Sequence, residues 1–269
     1  MLCLLLMVMP VFGVATVPSL MACDDMIFVD GFVSESLPSA GSGGAVNTGT
    51  RTIYVNSQLG NQTYYYHIPS TYQATTAMPL MMLFHGQAGQ GGAPGAAQYL
   101  RNLWKSEAES NNFIIVAQVA TGPQSGSWVP SNMVPILIKI IDDMSLRYNI
   151  EQRRIYAWGF SAGGHILHEL ALLNADFFAA YAISGASLSF ANSGNVGPQT
   201  ASRKLPVVLS VGLSDPYYPT VLADFNSFQL HGWQTGYNLW MDTYIGGHQY
   251  FVNEPSNVWD KLCISTNIN

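Results

Sequence analysis

The chain has 269 residues, of which 48% are hydrophobic and only 10% charged, and its net charge is −6. That length suffices for one α/β domain with a sizeable core. The ten Lys and Arg residues are too scattered to make a stripe that tracks a phosphate backbone, which argues against nucleic acid as a partner. A charge content well below the ~25% usual for soluble domains fits an exported protein.

Met1 to Ala22 contains no charged side chain and is interrupted by Pro10, Gly13 and Pro18. Those breakers argue against a membrane-spanning helix, so the segment reads as an export signal removed from the mature protein, although no Lys or Arg precedes it. Leu20-Met21-Ala22-Cys23 has the form of a bacterial lipoprotein cleavage box, which would leave a lipid anchor on Cys23. The competing reading is a disulfide from Cys23 to Cys263, suited to an oxidising compartment. One sulfur cannot serve both. Residues 23–50 read as an N-terminal tail and, around Gly41-Ser42-Gly43-Gly44, a flexible linker. The folded domain is expected over 51–269.

Within that domain Thr52–Asn56 and Thr63–Ile68 are predicted strands joined by a turn at Leu59-Gly60-Asn61. Pro79–Phe84 is a continuous apolar run ending at His85-Gly86, as expected of a buried strand, followed by a helix over Asn102–Asn111 and a strand over Phe113–Val119. The loop Thr121–Pro130 carries Trp128. From Asn132 to Tyr148, Val134, Leu137, Ile138, Ile141 and Met144 recur at helical spacing. The run Ile155–Trp158 then ends abruptly in Gly159-Phe160-Ser161-Ala162-Gly163, and a helical pattern resumes at once through Ile166, Leu167 and Leu170. Strands follow at Phe177–Ser184, Pro206–Val211 and Tyr237–Tyr244, with helices at Thr220–Gly232 and Pro255–Cys263 and a polar loop over Ser187–Ser202. Strands alternating with helices predict a mostly parallel sheet covered on both faces, with its chemistry at the carboxyl ends of the strands.

Strand, sharp turn, helix is the context in which Gly-x-Ser-x-Gly exposes a nucleophilic serine, here Ser161. A serine hydroxyl needs a base, and the base needs a third group to hold its tautomer. In this type of enzyme the chain order is serine, acid, histidine. Asp215 follows the strand Pro206–Val211, and His248 follows the strand ending at Tyr244, so both fall on the same edge as Ser161. Asp142, Asp143, Asp176, Asp224 and Asp242 lie within elements or at the far edge. The oxyanion donors expected are the N–H groups of Ala162 and Gln87. Trp128, Tyr217, Tyr218, Tyr250 and Phe251 fall on loops of that edge and are candidate substrate-binding aromatics. His85 is expected to brace its loop. His165 and His168 are read as packed side chains rather than ligands, since Leu172 stands where a zinc-protease motif needs its second histidine; no metal is called for.

His85-Gly86-Gln87, Gly159-Phe160-Ser161-Ala162-Gly163-Gly164, Gly212-Leu213-Ser214-Asp215-Pro216 and Gly246-Gly247-His248 together resemble secreted esterases grouped with polyhydroxybutyrate depolymerases, feruloyl esterases and acetylxylan esterases. The resemblance covers most of Arg51 to Leu262. It implies an α/β-hydrolase fold, carboxylic ester hydrolysis and no cofactor, with Ser161, Asp215 and His248 as triad and Gln87 and Ala162 as oxyanion donors. Many polyester-cleaving relatives carry Cys after the His-Gly, where this chain has Gln87. Feruloyl or acetyl esters on plant polysaccharides are therefore the first expectation and polyesters the second. A non-catalytic surface binding protein is the alternative from another class.

Overall fold

In the computed structural model of the chain, residues 36–122 and 126–265 are described, together with two short antiparallel strands, β1 (Phe28–Val29) and β2 (Phe32–Val33). The expected export segment, Met1–Ala22, and Cys23 lie outside the described residues. Cys263 is disulfide-bonded.

Eight strands make one sheet: β3 (Thr48–Tyr54), β4 (Asn61–His67), β5 (Met78–Phe84), β6 (Ile114–Gln118), β7 (Ile150–Phe160), β8 (Ala180–Ser184), β9 (Val207–Gly212) and β10 (Leu239–Tyr244). Their spatial order is β3-β4-β6-β5-β7-β8-β9-β10. The pairs β3–β4 and β4–β6 are antiparallel, and every other neighbouring pair is parallel. Strands β5, β6, β8 and β9 are buried at every position, as continuous apolar runs covered on both faces must be.

Helices α1 (Ala93–Asn111) and α6 (Glu254–Leu262) cover one face. Trp104, Phe113, Trp158 and Trp259 fill that core, with the Phe113 and Trp259 rings stacked at 4.0 Å. The other face takes α2 (Pro130–Arg147), α3 (Ala162–Leu173), the short α4 (Ser189–Ser193) and α5 (Tyr218–Leu230). Their apolar stripes, such as Met133, Ile136 and Ile140 on α2, pack into a second core. No described helix is long and apolar enough to cross a membrane.

Several elements depart from the predictions. Helix α1 starts at Ala93 instead of Asn102, because Pro94 occupies a first-turn position where its missing N–H costs nothing. Within the expected loop Ser187–Ser202, α4 forms a short turn of helix. The expected flexible linker is held in place from Ser36 onward. Ser36 Oγ and the Leu37 N–H bind the Glu151 carboxylate, the Ser39 N–H donates to Ile150 O at 2.9 Å, and the Gly44 N–H donates to Arg147 O at 2.9 Å. Backbone groups in this small-residue stretch find partners at the start of β7, so its composition does not make it free.

Candidate active site

The site grows out of the junction between β7 and α3. Ser161 sits there at φ 52°, ψ −120°, a conformation a non-glycine residue adopts only when its surroundings impose it. The Ser161 N–H donates to Ser184 O on the neighbouring strand at 2.9 Å, and Ser161 O accepts the first helical bond from His165. The turn is this tight because its flanking residues lack side chains. A Cβ on Gly159 would lie 2.6 Å from Gly163 O, and one on Gly163 would lie 2.2 Å from Phe84 O. No substituent fits at either place, which gives the two motif glycines a packing reason as well as a conformational one.

Asp215 and His248 arrive from the far side of β8. Strands β9 and β10 run in register, Gly212 beside Tyr244, and their following loops are knitted by Leu213 N–H to Tyr244 O and Ser214 N–H to Gly246 O, both at 2.9 Å. His248 therefore leaves its strand beside Asp215, with Nδ1 2.8 Å from Asp215 Oδ2. Its Nε2 lies 2.8 Å from Ser161 Oγ. The Asp215 carboxylate, fully enclosed, also accepts the Tyr217 N–H on Oδ1 at 2.8 Å, whereas the His248 side chain is 31% exposed. A carboxylate can only accept, so the Nδ1 of His248 carries the proton and Nε2 is left to take one from Ser161.

Gly86 borders this serine, since a Cβ placed there would be 3.4 Å from Ser161 Cβ. Among the described residues neither the Gln87 nor the Ala162 N–H donates a hydrogen bond, and Ala162 is the first residue of α3, where such groups are unsatisfied by the helix itself. The arrangement provides a polarised hydroxyl, an acceptor for its proton, and unpaired amides on both flanks.

The five candidate aromatics part ways. Tyr217 stands beside the site, its ring 5.4 Å from that of His248 and 5.0 Å from that of His165. Tyr218, at the start of α5, packs against the core. Trp128 is buried, its ring lying 4.9 Å from that of His85 and its Nε1–H donating to His85 O at 2.7 Å, so it braces a loop and forms no cleft wall. Tyr250 directs its hydroxyl to the Gly86 N–H at 3.1 Å and its ring onto Phe160 at 4.2 Å. Phe251 stacks on Tyr244 at 4.6 Å. Indole and phenol groups have polar tips that find partners when buried, which is why loop position alone overestimates how many face a ligand.

The remaining histidines are placed by packing. His85 is wholly buried and bonds Gly86 O and the Ala120 N–H, as a brace does. His165 Nδ1 meets the Ser187 backbone, and burial, with His248 nearby, pulls its pKa down. His168 contacts Tyr181 Oη at 3.2 Å, and full burial lowers its pKa to about 3. Among the described residues no group of three His, Cys, Asp or Glu is placed to hold a metal ion.

One buried acid had no sequence signal. Glu254, at the first position of α6, lies under the sheet edge and accepts Ser184 Oγ–H at 2.9 Å and Trp158 Nε1–H at 3.2 Å. Burial raises its pKa to about 7 despite those donors and the Ser210 hydroxyl. An acid in the first turn of an amphipathic helix ordinarily faces solvent, and nothing in the local pattern marks this one as enclosed.

The strand order, the serine at a strained strand-to-helix turn and the acid and histidine on the following strand ends define an α/β-hydrolase fold. Solved structures agree. A ferulic acid esterase superposes with a TM-score of 0.62 at 15% identity, over 81% of this chain and 96% of its own. A thermostable esterase gives 0.63 at 17%, over 82% of this chain and 63% of its own. The feruloyl esterase module from Clostridium thermocellum, complexed with sinapinate, gives 0.58 at 13%, over 86% and 94%. No protein-family model and no curated protein sequence matches the chain.

Proposed function

We propose that this protein is a serine carboxylic ester hydrolase working through an acyl-enzyme. The observation that carries the reading is the unbroken relay from Asp215 to His248 to Ser161, each link 2.8 Å long. Ser161 Oγ attacks the ester carbonyl while His248 Nε2 takes its proton, and Asp215 stabilises the resulting imidazolium. The amides of Gln87 and Ala162 receive the negative charge on the carbonyl oxygen. His248 then protonates the departing alcohol. The same histidine draws a proton from water, whose oxygen attacks the acyl carbonyl and releases the acid.

Turnover of p-nitrophenyl acetate tests this directly. Wild type should hydrolyse it and be labelled stoichiometrically by a fluorophosphonate, and Ser161→Ala should do neither. A scaffold that only binds would leave the probe unreacted.

For substrate we favour feruloyl or acetyl esters on plant polysaccharides. The Tyr217 ring beside His248 supports it, offering a flat apolar wall for a phenolic acyl group or a sugar face. A second reading, polyester cleavage, is favoured by the exposed Leu213 and Ile245 on the two loops that carry Asp215 and His248. Rates on feruloylated arabinoxylan, acetylated xylan and polyhydroxybutyrate film separate the two.

We also place the mature protein outside the cytoplasm. The uncharged segment Met1–Ala22 and a disulfide-bonded Cys263 support this, since such bonds persist in oxidising compartments. The intact mass of the mature chain tests it: loss of 22 residues supports export, and a diacylglycerol adduct would put the anchor on Cys23.

A further inference from the structure

The loop after β5 has to present one amide, that of Gln87, and it is fastened at three successive points. In the peptide joining His85 to Gly86, the carbonyl accepts Trp128 Nε1–H at 2.7 Å and the N–H donates to Tyr250 Oη at 3.1 Å. The two polar ends of a trans peptide point in opposite directions, so partners on both ends set the rotation of its plane. In the next peptide, Gly86 to Gln87, the carbonyl lies 2.6 Å from His85 Nδ1. The other nitrogen of that ring, Nε2, sits 3.2 Å from the Ala120 N–H, a group that can only donate. Nε2 is therefore the acceptor and Nδ1 carries the proton, which it gives to Gly86 O. With the carbonyl drawn toward a wholly buried ring, the amide at the opposite end of the same peptide, Gln87 N–H, faces the other way. No described group takes that amide, and the preceding residue, Gly86, borders Ser161.

We propose that Tyr250, acting with Trp128 and His85, is a positioning residue that aims the Gln87 amide at the oxygen of the reacting carbonyl. The inference rests on the serine-hydrolase reading and deepens it. Tyr250 lies two residues beyond His248 on one short loop, and the Phe160 ring sits between them, 4.9 Å from the His248 ring and 4.2 Å from that of Tyr250. The segment that carries the base thus also holds the oxyanion loop, so the proton acceptor and the charge acceptor are set relative to Ser161 by one piece of chain. Preorganisation of this kind lowers the barrier without tightening substrate binding, because the amide gains most once charge has developed.

The test is Tyr250→Phe, which keeps the ring on Phe160 and Tyr99 and removes only the acceptor of the Gly86 N–H. Deleting an oxyanion donor outright costs roughly 10²–10³ in kcat, and loosening one should cost about tenfold to fiftyfold. For p-nitrophenyl acetate we expect that fall in kcat with KM unchanged within twofold. The affinity for a trifluoromethyl ketone, which forms a tetrahedral oxyanion on Ser161, should fall in parallel, while affinity for the product acid stays put. Tyr99→Phe, which alters the ring neighbour but not the clamp, should do none of this. Undiminished kcat and ketone affinity in Tyr250→Phe, with Ser161-dependent turnover in wild type, overturn this proposal alone. Absence of Ser161-dependent turnover in wild type overturns the esterase reading and this proposal with it. If Tyr250→Phe is unfolded by circular dichroism, Trp128→Phe releases the other end of the same peptide and is read by the same two affinities and the same kcat-against-KM split.

Discussion

Gly185 faces the side of the His248 ring: a Cβ at position 185 would lie 3.1 Å from both Cε1 and Nδ1 of His248 and 3.0 Å from Asp215 Oδ2. The reason is topological. Ser161 follows β7 while Asp215 and His248 follow β9 and β10, so the imidazole must cross the end of β8 to reach the serine. A side chain there would crowd that passage, so that the imidazole or the carboxylate would have to shift by a few tenths of an ångström. Gly185 also has φ 55°, so alanine there brings backbone strain as well as the contact. We predict that Gly185→Ala lowers kcat on p-nitrophenyl acetate by about a hundredfold, a barrier increase of about 2.7 kcal/mol. Stability should fall by about 1–2 kcal/mol. A steady-state assay and a urea melt measure the two separately, and an unchanged kcat would mean that the ring does not need this gap.

The conformation of Ser161 makes a second prediction of opposite sign. A non-glycine residue at φ 52°, ψ −120° carries strain of about 1–3 kcal/mol, and glycine removes it at an entropic cost of about 0.5–1 kcal/mol. Ser161→Ala keeps the strain and Ser161→Gly releases it. Both should be inactive, yet the glycine variant should be the more stable of the two by about 1 kcal/mol, read as a difference in urea midpoint at constant slope. Equal midpoints would show that the turn is held without strain.

A third concerns the fastening of the sheet's antiparallel end. Asp143 on α2 receives Arg51 Nε–H from β3 at 2.6 Å and Tyr64 Oη–H from β4, so one carboxylate ties three elements. Burial pushes its pKa up, but the Arg51 and Tyr64 hydrogen bonds and the Arg51 and Arg147 charges outweigh that, and the net shift is down. A depressed acid contributes stability above its unfolded pKa and loses it as pH falls through the folded one. Asp143→Asn should therefore cost about 1–2 kcal/mol at pH 7, and the gap to wild type should be narrower at pH 3 than at pH 5. A gap of the same size at pH 5 and pH 3 would assign the loss to packing.

What sequence reasoning reached, and what it missed, divides by the range of the interactions involved. Ser161, Asp215 and His248 were legible because each follows an apolar run that must be a buried strand, and chain order with edge position needs no knowledge of side-chain partners. The brace at His85 was legible for the same reason. The role of Trp128 was not, because its indole reaches back to a residue of a different loop, and loop composition is silent on which way a ring turns. Residues Ser36 to Gly44 looked like a linker because small residues are common in both free and docked backbone; what docks them is a set of acceptors from Arg147 to Glu151, at the end of α2 and the start of β7, distant in the chain. Glu254 was the least accessible of all. Its enclosure depends on Ser184 and Trp158, on two other strands, turning hydroxyl and indole donors toward the same point.

That enclosure sets the final prediction. Burial lifts the Glu254 pKa from an ordinary 4.5 to about 7, so between those values the folded protein holds a proton that the unfolded chain has released. Stability is therefore fully present below about pH 4.5 and declines as pH rises through 7, by on the order of 3 kcal/mol in total. Asp224, lifted by burial to about 6, works in the same direction over a lower window. The buried His168 works oppositely: it stays neutral when folded, so acid favours the unfolded state, where its ring can take a proton. The whole-protein profile mixes these signs, and the informative quantity is a difference. Glu254→Gln keeps an acceptor for Ser184 and Trp158 without the charge. Relative to wild type it should gain stability from pH 5 upward, most steeply between the two Glu254 values, near pH 6, and level off above 7, in urea melts taken at half-unit steps. A difference that does not vary with pH over that range would mean that Glu254 is ionised in the folded protein throughout.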